Sequence, residues 1–415
     1  MVILQSFKGL SGEKMKIAVF HNLPSGGAKR ALYNTVNFLS QKNEVDVFLP
    51  STANEDYLPL KNIVNNLKTF PVKNTALGYF LSVVKYFPSI VSLVDLEKVQ
   101  KNIAEIINED DYDVVLCEQD RHTIAPFILK YIKKPHVYYC QQPIIFRETV
   151  SQRLYTNAGL KTKNTSESLR LKLYGSRMVN NDRKIAEYSK YTIANSYFSH
   201  ETILRSYGTN SFVSYLGVDT NLFKPKDVEE ENFVLSVGQC LPEKGFEFII
   251  RSLSKIADNL RPKLVIVSDQ GNVHWKNYLE ELAIKLDVKL NILNLIDDDE
   301  LILLYNKAKL VVYAPYLEPF GLVPLEAMSC GTPVVGVKEG GVRESIVDGL
   351  NGILTERDEL EFSEAVTELL LNHEKREKLA INSIEVVNDF WTLNNSGDRI
   401  LNHLKRAVTC YNDYL

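Results

Sequence analysis

Residues 313–348 read YAPYLEPFGLVPLEAMSCGTPVVGVKEGGVRESIVD. The runs LVVYA (Leu310 to Ala314) and PVVGV (Pro333 to Val337) have the unbroken apolar composition of strands buried on both faces. Between them a short helix is expected over Leu322 to Cys330. Pro324 falls in its first turn, where no helical amide bond is lost, Gly331 supplies a left-handed stop, and Pro333 keeps the helix from resuming. Strand, loop, helix, strand is a unit of an open parallel sheet, where ligands bind beyond the carboxyl ends of the strands. The loops Pro315 to Gly321 and Lys338 to Gly341 are therefore expected to face one crevice. Free amides around Gly321, Leu322 and Val323 suit a phosphate, and Gly340 and Gly341 let main chain approach a ligand closely. Glu326, inside the helix, is placed to accept hydrogen bonds from vicinal hydroxyls such as those of a ribose, and Glu318 sits nearer whatever the phosphate carries. Either glutamate alone reads as a solvated helix-end residue; together, at ligand-facing strand ends, they read as a site.

The stretch resembles the donor-site signature of the family 4 glycosyltransferases, retaining enzymes with the two-Rossmann GT-B fold. That motif is two glutamates separated by seven residues, the spacing of Glu318 and Glu326, and EPFGLVPLEAMSCGTPVV followed by GGVRESIVDGLNG matches it almost position by position. The resemblance implies that Glu326 holds the nucleotide ribose and Glu318 contacts the donor sugar. It also implies an α/β chain of two Rossmann-like domains facing a cleft. An extension (residues 1–14) would precede an acceptor domain (15–215) and a nucleotide-sugar domain (216–392), and a C-terminal helix (393–415) would cross back to the first domain.

At 415 residues the chain is long enough for two such domains of about 200 residues each. A net charge of −4 gives no reason to expect nucleic acid as a partner. Cys117, Cys140, Cys240, Cys330 and Cys410 are odd in number and never closely paired, which points to reduced thiols in a cytoplasm rather than a disulfide frame or a zinc site. The N-terminus lacks a long apolar core, so no signal peptide is expected.

In chain order, Met15 to Leu23 is a first strand, and Gly26 and Gly27 open the helix that follows. This glycine pair reads equally as a phosphate or substrate loop and as a plain turn. Members of the resembled family carry an acidic residue before an arginine here; Lys29 and Arg30 stand in its place, which would make the loop more positive. Glu44 to Pro50 is a second strand. The run Leu77 to Val94 is the most apolar long segment, interrupted by Lys85 and Pro88, so a spanning helix is not expected. It reads as a pair of core helices in preference to an amphipathic membrane-surface helix. Asp111 to Asp120 is a strand; Asp111 and Asp113 precede it, away from the crevice, while Glu118 to Asp120 lie at the crevice end.

His136 to Glu148 is a strand followed by Gln141, Gln142 and Pro143. It resembles the lipid-linked-oligosaccharide mannosyltransferases of family 4, with Gln141 where a histidine usually stands, and a glutamine cannot act as acid or base. Residues 151–190 are polar, with a helix expected from Asp182 to Ser189, and read equally as an acceptor-covering loop or a solvated connection. A further helix starts near Ser196, and Ser214 to Pro225 resembles the family's interdomain turn.

The second half restarts at Asn232. Lys244, beside Gly245 at a helix start, is positioned to pair with a diphosphate. The resembled family places an arginine after Gly238; Gln239 stands there, and Arg343, Lys29 or Arg30 would have to supply the missing cation. Leu264 to Gly271 and Leu290 to Ile296 are strands whose loops would hold the base. Asp297 to Glu300 reads as the acidic first turn of a helix rather than a metal cluster. From Glu359 the chain is helical.

The expected activity is retaining transfer of a hexose, a mannosyl group by the YYCQQP similarity, from a GDP- or UDP-linked sugar to a glycan or lipid-linked acceptor, with no other cofactor and no metal. The acceptor would pass Gly26, Gly27, Glu118 and Gln141, with peripheral contact at the inner face of the membrane as a further expectation. The rivals are a hydrolase or epimerase on the same fold and a binding protein weakened in catalysis, for which Gln239 speaks.

Overall fold

The computed structural model describes residues 14–87, 89–143, 154, 165–268, 272–294 and 296–412. Seven strands, β1 (Lys16–Asn22), β2 (Glu44–Pro50), β3 (Asn66–Phe70), β4 (Val114–Asp120), β5 (His136–Tyr139), β6 (Thr192–Ala194) and β7 (Phe212–Val213), form a sheet ordered β3-β2-β1-β4-β5-β6-β7. Six more, β8 (Glu231–Val237), β9 (Lys263–Ser268), β10 (Leu290–Asn294), β11 (Ala308–Tyr313), β12 (Val334–Val337) and β13 (Ile353–Thr355), form a second, ordered β10-β9-β8-β11-β12-β13. Adjacent strands pair in parallel throughout both sheets. The strand order reverses between β1 and β4 and again between β8 and β11. A parallel sheet opens its ligand crevice at such reversals.

The helices of the first domain are α1 (Gly27–Ser40), α2 (Ala76–Lys85), α3 (Leu93–Glu109), α4 (Thr165–Ala186) and α5 (Tyr197–Tyr207). Those of the second are α6 (Phe246–Leu253), α7 (Val273–Lys285), α8 (Asp298–Lys307), α9 (Leu322–Ser329), α10 (Val342–Ser345), α11 (Glu359–Leu371) and α12 (His373–Phe390), and α13 (Leu393–Asn412) ends the chain. Two Rossmann-like layers are the architecture the sequence leads one to expect. The central strands β1 and β4 are buried almost end to end, so their apolar runs carry no alternation.

The chain crosses between the sheets twice, side by side. Val218 N donates to Trp391 O at 2.8 Å and Leu393 N to Val218 O at 3.1 Å. Gly217 is required there, because a Cβ would lie 2.3 Å from Thr392 O. Thr392 Oγ1 then accepts from Asn395 N, so α13 begins at Leu393. α13 packs back on the first domain: Gly397 leaves room for the Phe38 ring, and His403 Nδ1 lies 2.9 Å from Tyr191 Oη. One buried cluster thus runs from Ile17, Val19 and Leu32 through Leu216 and Val218 to Val311, Leu325 and Ile400.

Three local expectations need correction. The run 77–94 does not form two core helices: Leu77, Phe80 and Val84 of α2 are exposed. α4 is a long helix ending at Ala186, not a short one over 182–189, and most of the polar segment before it lies outside the described residues. β9 stops at Ser268, and residues 269–271 of the expected base loop are likewise outside. Among the described residues no helix is long and apolar enough to cross a membrane. None of the five cysteines forms a disulfide, and only Cys410 is exposed.

Candidate active site

The residues expected on the donor side assemble at the β8/β11 reversal. β8 ends at Gly238, whose φ of +159° borders on extended backbone, and Gln239 follows, half-buried. A tight turn over Pro242 to Lys244 is closed by Gly245 in the left-handed region at φ +72°. Gly245 is needed for a second reason, since a Cβ there would collide with Ala314 O at 1.8 Å. Together with Tyr316 N donating to Glu243 O at 2.8 Å, this locks the β8 turn against the loop after β11. Lys244 Nζ consequently meets Glu318 Oε2 at 2.7 Å, each side chain about one-fifth exposed.

α9 starts behind that loop at Gly321, φ +93°, with no side-chain cap and no acid in its first turn. The first amides of α9, those of Leu322 and Val323, thus receive no side-chain cap. Glu326, one turn on, is buried at 7% exposure and accepts from Tyr305 Oη at 2.8 Å. Burial raises its pKa, opposed by the charge of Arg30 from the first domain.

Gly340 and Gly341 do something other than expected. A Cβ on either would lie 2.3 Å from a carbonyl, that of Glu318 or Pro319, and Gly341 N donates to Glu318 O at 2.8 Å. They let two loops of the protein pack main chain to main chain, and they hold Glu318 from behind. Arg357 adds to this by stacking on Tyr316 at 3.7 Å, donating to Ala314 O and Pro315 O, and pairing with Glu339. Arg343 is exposed and makes no ion pair among the described residues.

On the facing domain, Gly26 (φ +124°) and Gly27 open α1 without a side-chain cap, and no described atom lies within 4 Å of a Cβ built on either. Lys29 contradicts the expectation of a more positive loop. It is fully buried, bonded to Glu55 beside His21, and burial lowers its pKa. Arg30 is the cation that reaches the cleft, and it is already engaged: its guanidinium forks onto Asp298 at 2.7 and 3.0 Å while Nε donates to Tyr57 Oη. Asp298 sits in the acidic first turn of α8, where Asp297 caps by accepting from Glu300 N.

Glu118 and Gln141 come together beneath the cleft wall rather than on it. Glu118 is fully buried, accepts from Gln141 Nε2 at 3.2 Å, and keeps Oε1 without a partner. Burial pushes its carboxyl up to about 8, the Gln141 hydrogen bond opposing. Asp120 is committed to structure, bonded by Asn22 and Gln100. Asp111 and Asp113 bind Lys16 at the far end of the sheet. Among the described residues no three His, Cys, Asp or Glu side chains gather as a metal site.

Sequence reasoning missed how the domains are joined. Ser196 Oγ donates to Pro319 O at 2.5 Å, and Ser199 Oγ lies 3.4 Å from the same carbonyl. Glu344 accepts from Tyr197 N, Phe198 N and Tyr215 Oη, all at 2.8–2.9 Å, so a carboxylate of the second domain caps a helix of the first. Ser196 as the helix start was legible, and its Oγ accepts from Ser199 N; that Glu344, 147 positions from Tyr197, caps the same helix was not.

Two parallel Rossmann-like layers meeting at their carboxyl ends define a GT-B protein. The structure superposes on Anabaena HepE, solved with UDP and glucose, at a TM-score of 0.70 over 94% of this chain and 99% of that one, with 20% identity. Residues 218–386 match the family model described as Glycosyl transferases group 1, in line with the resemblance read from residues 313–348. An uncharacterized glycosyltransferase of Methanocaldococcus jannaschii is 41% identical over 127 residues, 30% of this chain and 32% of that protein. The human alpha-1,3/1,6-mannosyltransferase is 25% identical over 278 residues, 63% of this chain and 65% of that protein. The chain spans 32–49% of the length of the first curated relatives it matches.

Proposed function

We propose that the chain is a retaining glycosyltransferase that moves a hexose from a GDP- or UDP-linked sugar to a glycan or lipid-linked acceptor, without an essential metal, at the inner face of a membrane. One observation carries this reading: Lys244 and Glu318 pair beside the uncapped start of α9, with Glu326 buried one turn behind.

In this reading the leaving diphosphate takes Lys244 and the amides of Leu322 and Val323, which oppose charge that develops as the sugar departs. Glu326, oriented by Tyr305, accepts from the ribose hydroxyls. Glu318, freed from Lys244 by the diphosphate, accepts from the sugar. The acceptor comes from the side of Gly26, Gly27 and Gln141, and closure of the domains keeps water from the donor. Glu118 serves as a positioning residue, its carboxyl holding the Gln141 amide. Arg343, exposed on α10 just after the donor loops, answers for Gln239. The names of relatives support both donor choices, a mannosyltransferase and a protein solved with UDP and glucose.

The test is release of nucleoside diphosphate from GDP-mannose and from UDP-glucose with acceptor sugars, the product anomer being read by NMR. Turnover with retained configuration, lost in Lys244→Ala, is expected; inversion or plain hydrolysis would overturn the reading. Gln239 favours a second reading, a nucleotide-sugar binder weakened in catalysis, since a missing charged partner at the diphosphate costs roughly 3 kcal/mol of transition-state stabilisation. A large gain in turnover on Gln239→Arg would support it, and no gain would mean that another cation serves.

A further inference from the structure

α2 carries its apolar side chains on the face opposite to the one it buries. Leu77, Phe80, Leu81 and Val84 recur at i, i+3, i+4 and i+7, the stripe by which an amphipathic helix ordinarily packs on a core. Here they are 67, 67, 39 and 59% exposed.

The buried face is Gly78 and Ser82. A Cβ at Gly78 would stand 1.9 Å from Asp95 Oδ2, so only glycine lets α2 lie this close to α3. Ser82 Oγ donates to Gly78 O at 2.7 Å and accepts from Val94 N at 3.0 Å. Thr75 caps the helix and is itself fixed by Asp95, while Arg177 of α4 donates to the carbonyls of Val83 and Val84. Tyr79 Oη donates to Ile90 O, tying in Ile90, itself 80% exposed. The outward orientation is therefore held by specific bonds at both ends and along the buried face.

Along this stretch of sequence the charge is one-sided, and the acids that α2 meets, Asp95 and Glu97 of α3, are buried. From Tyr57 to Val94 the sequence contains Lys61, Lys68, Lys73 and Lys85 and no aspartate or glutamate, in a chain whose net charge is −4. Lys61, Lys68 and Lys73 are exposed, and Lys85 is more than half exposed even while bonded to Glu97. A ten-residue helix offers far less than the roughly 800 Å² per partner of a specific protein interface. An apolar stripe on a helix with Lys73 shortly before its start and Lys85 in its last turn, in a stretch of sequence whose charged residues are all lysines, instead matches an anionic lipid surface, where the stripe enters the headgroup–acyl boundary and each cation adds attraction.

We propose that α2 is an interfacial anchor which docks the first domain on an anionic bilayer, with Leu77, Phe80, Leu81 and Val84 inserted and Lys61, Lys68 and Lys73 over the lipid phosphates. This deepens the proposed transfer to a lipid-linked acceptor by naming the surface that meets the membrane, and it rests on that reading only for its purpose.

The full chain is sedimented with vesicles of phosphatidylcholine alone and of phosphatidylcholine with phosphatidylglycerol. Binding to the anionic vesicles is expected, weakened by salt, and reduced about tenfold or more in Leu77→Asp/Phe80→Asp. Both positions are solvent-facing, so that variant should bind nucleotide as the parent does, which checks its folding. Lys68→Glu/Lys73→Glu should remove the preference for anionic vesicles. Equal or absent binding to the two vesicle types overturns the proposal, as does an unaffected double aspartate variant. Loss of a dimer in that variant, seen by light scattering without vesicle binding, also overturns it and assigns the face to a second copy. Transfer to a water-soluble acceptor without vesicle binding would sink the anchor alone; vesicle binding without transfer would sink the transferase reading alone.

Discussion

Glu118 is a carboxyl with its pKa pushed up to about 8 by burial, so the folded protein holds a proton there that the unfolded chain has released by neutral pH. Its contribution to stability is complete below the ordinary carboxylate range and is lost as pH rises toward 8. Protein stability should therefore fall with rising pH across that window, by at most about 1.4 kcal/mol per pH unit from this group. Glu118→Gln should flatten the slope, as read by denaturant titration at several pH values. In the proposed donor site, Glu326→Gln keeps the shape but replaces one carboxylate oxygen by an NH2 group, which cannot accept from a ribose hydroxyl. Nucleotide affinity should drop roughly tenfold or more, equivalent to about 1.4 kcal/mol, in calorimetry. That these residues would cluster around one short helix was legible because glutamates, glycines and a proline stand at fixed offsets along it. Lys29 was not: its neighbours in sequence say loop, and only the fold brings Glu55 and His21 to it.

At the scale of elements, the loop after β12 is pressed against the loop after β11 with no room for a methyl group. Gly341→Ala would set Cβ 2.3 Å from Pro319 O and must displace backbone. A loss of roughly 1–3 kcal/mol of stability is expected, with weaker nucleotide binding because Glu318 moves with its loop. Gly26→Ala has open space but a φ of +124°, so it should cost about 1–3 kcal/mol through backbone strain alone. Comparing the two by chemical denaturation, with nucleotide affinity alongside, separates steric from conformational roles. The strand-loop-helix-strand unit was readable from composition and breakers, within one or two residues at each boundary. α2 shows the limit of that reading. Periodicity tells which side chains share a face, but the direction of the face was decided by Gly78 and Ser82 fitting against Asp95 and Val94.

Across the whole molecule, two of the polar links between the domains are made by carboxylates. Glu344 caps α5, and Arg30 forks onto Asp298. The Arg30–Asp298 pair is partly solvent-exposed, so a double-mutant cycle should return a coupling of no more than about 1 kcal/mol. The single variants should still weaken nucleotide binding, because Arg30 lies close enough to oppose the rise in the Glu326 pKa. Neither link was visible in sequence, since the partners stand 268 and 147 positions apart. The central claim is that these domains close on a nucleotide diphosphate sugar held by Glu326, Lys244 and the start of α9. Its most direct test is isothermal titration of UDP, GDP and ADP into the protein and its Glu326→Ala variant, with and without a chelator. Tight binding of one nucleotide, indifferent to chelator and lost in the variant, is the predicted result. Binding of none of the three would contradict the claim.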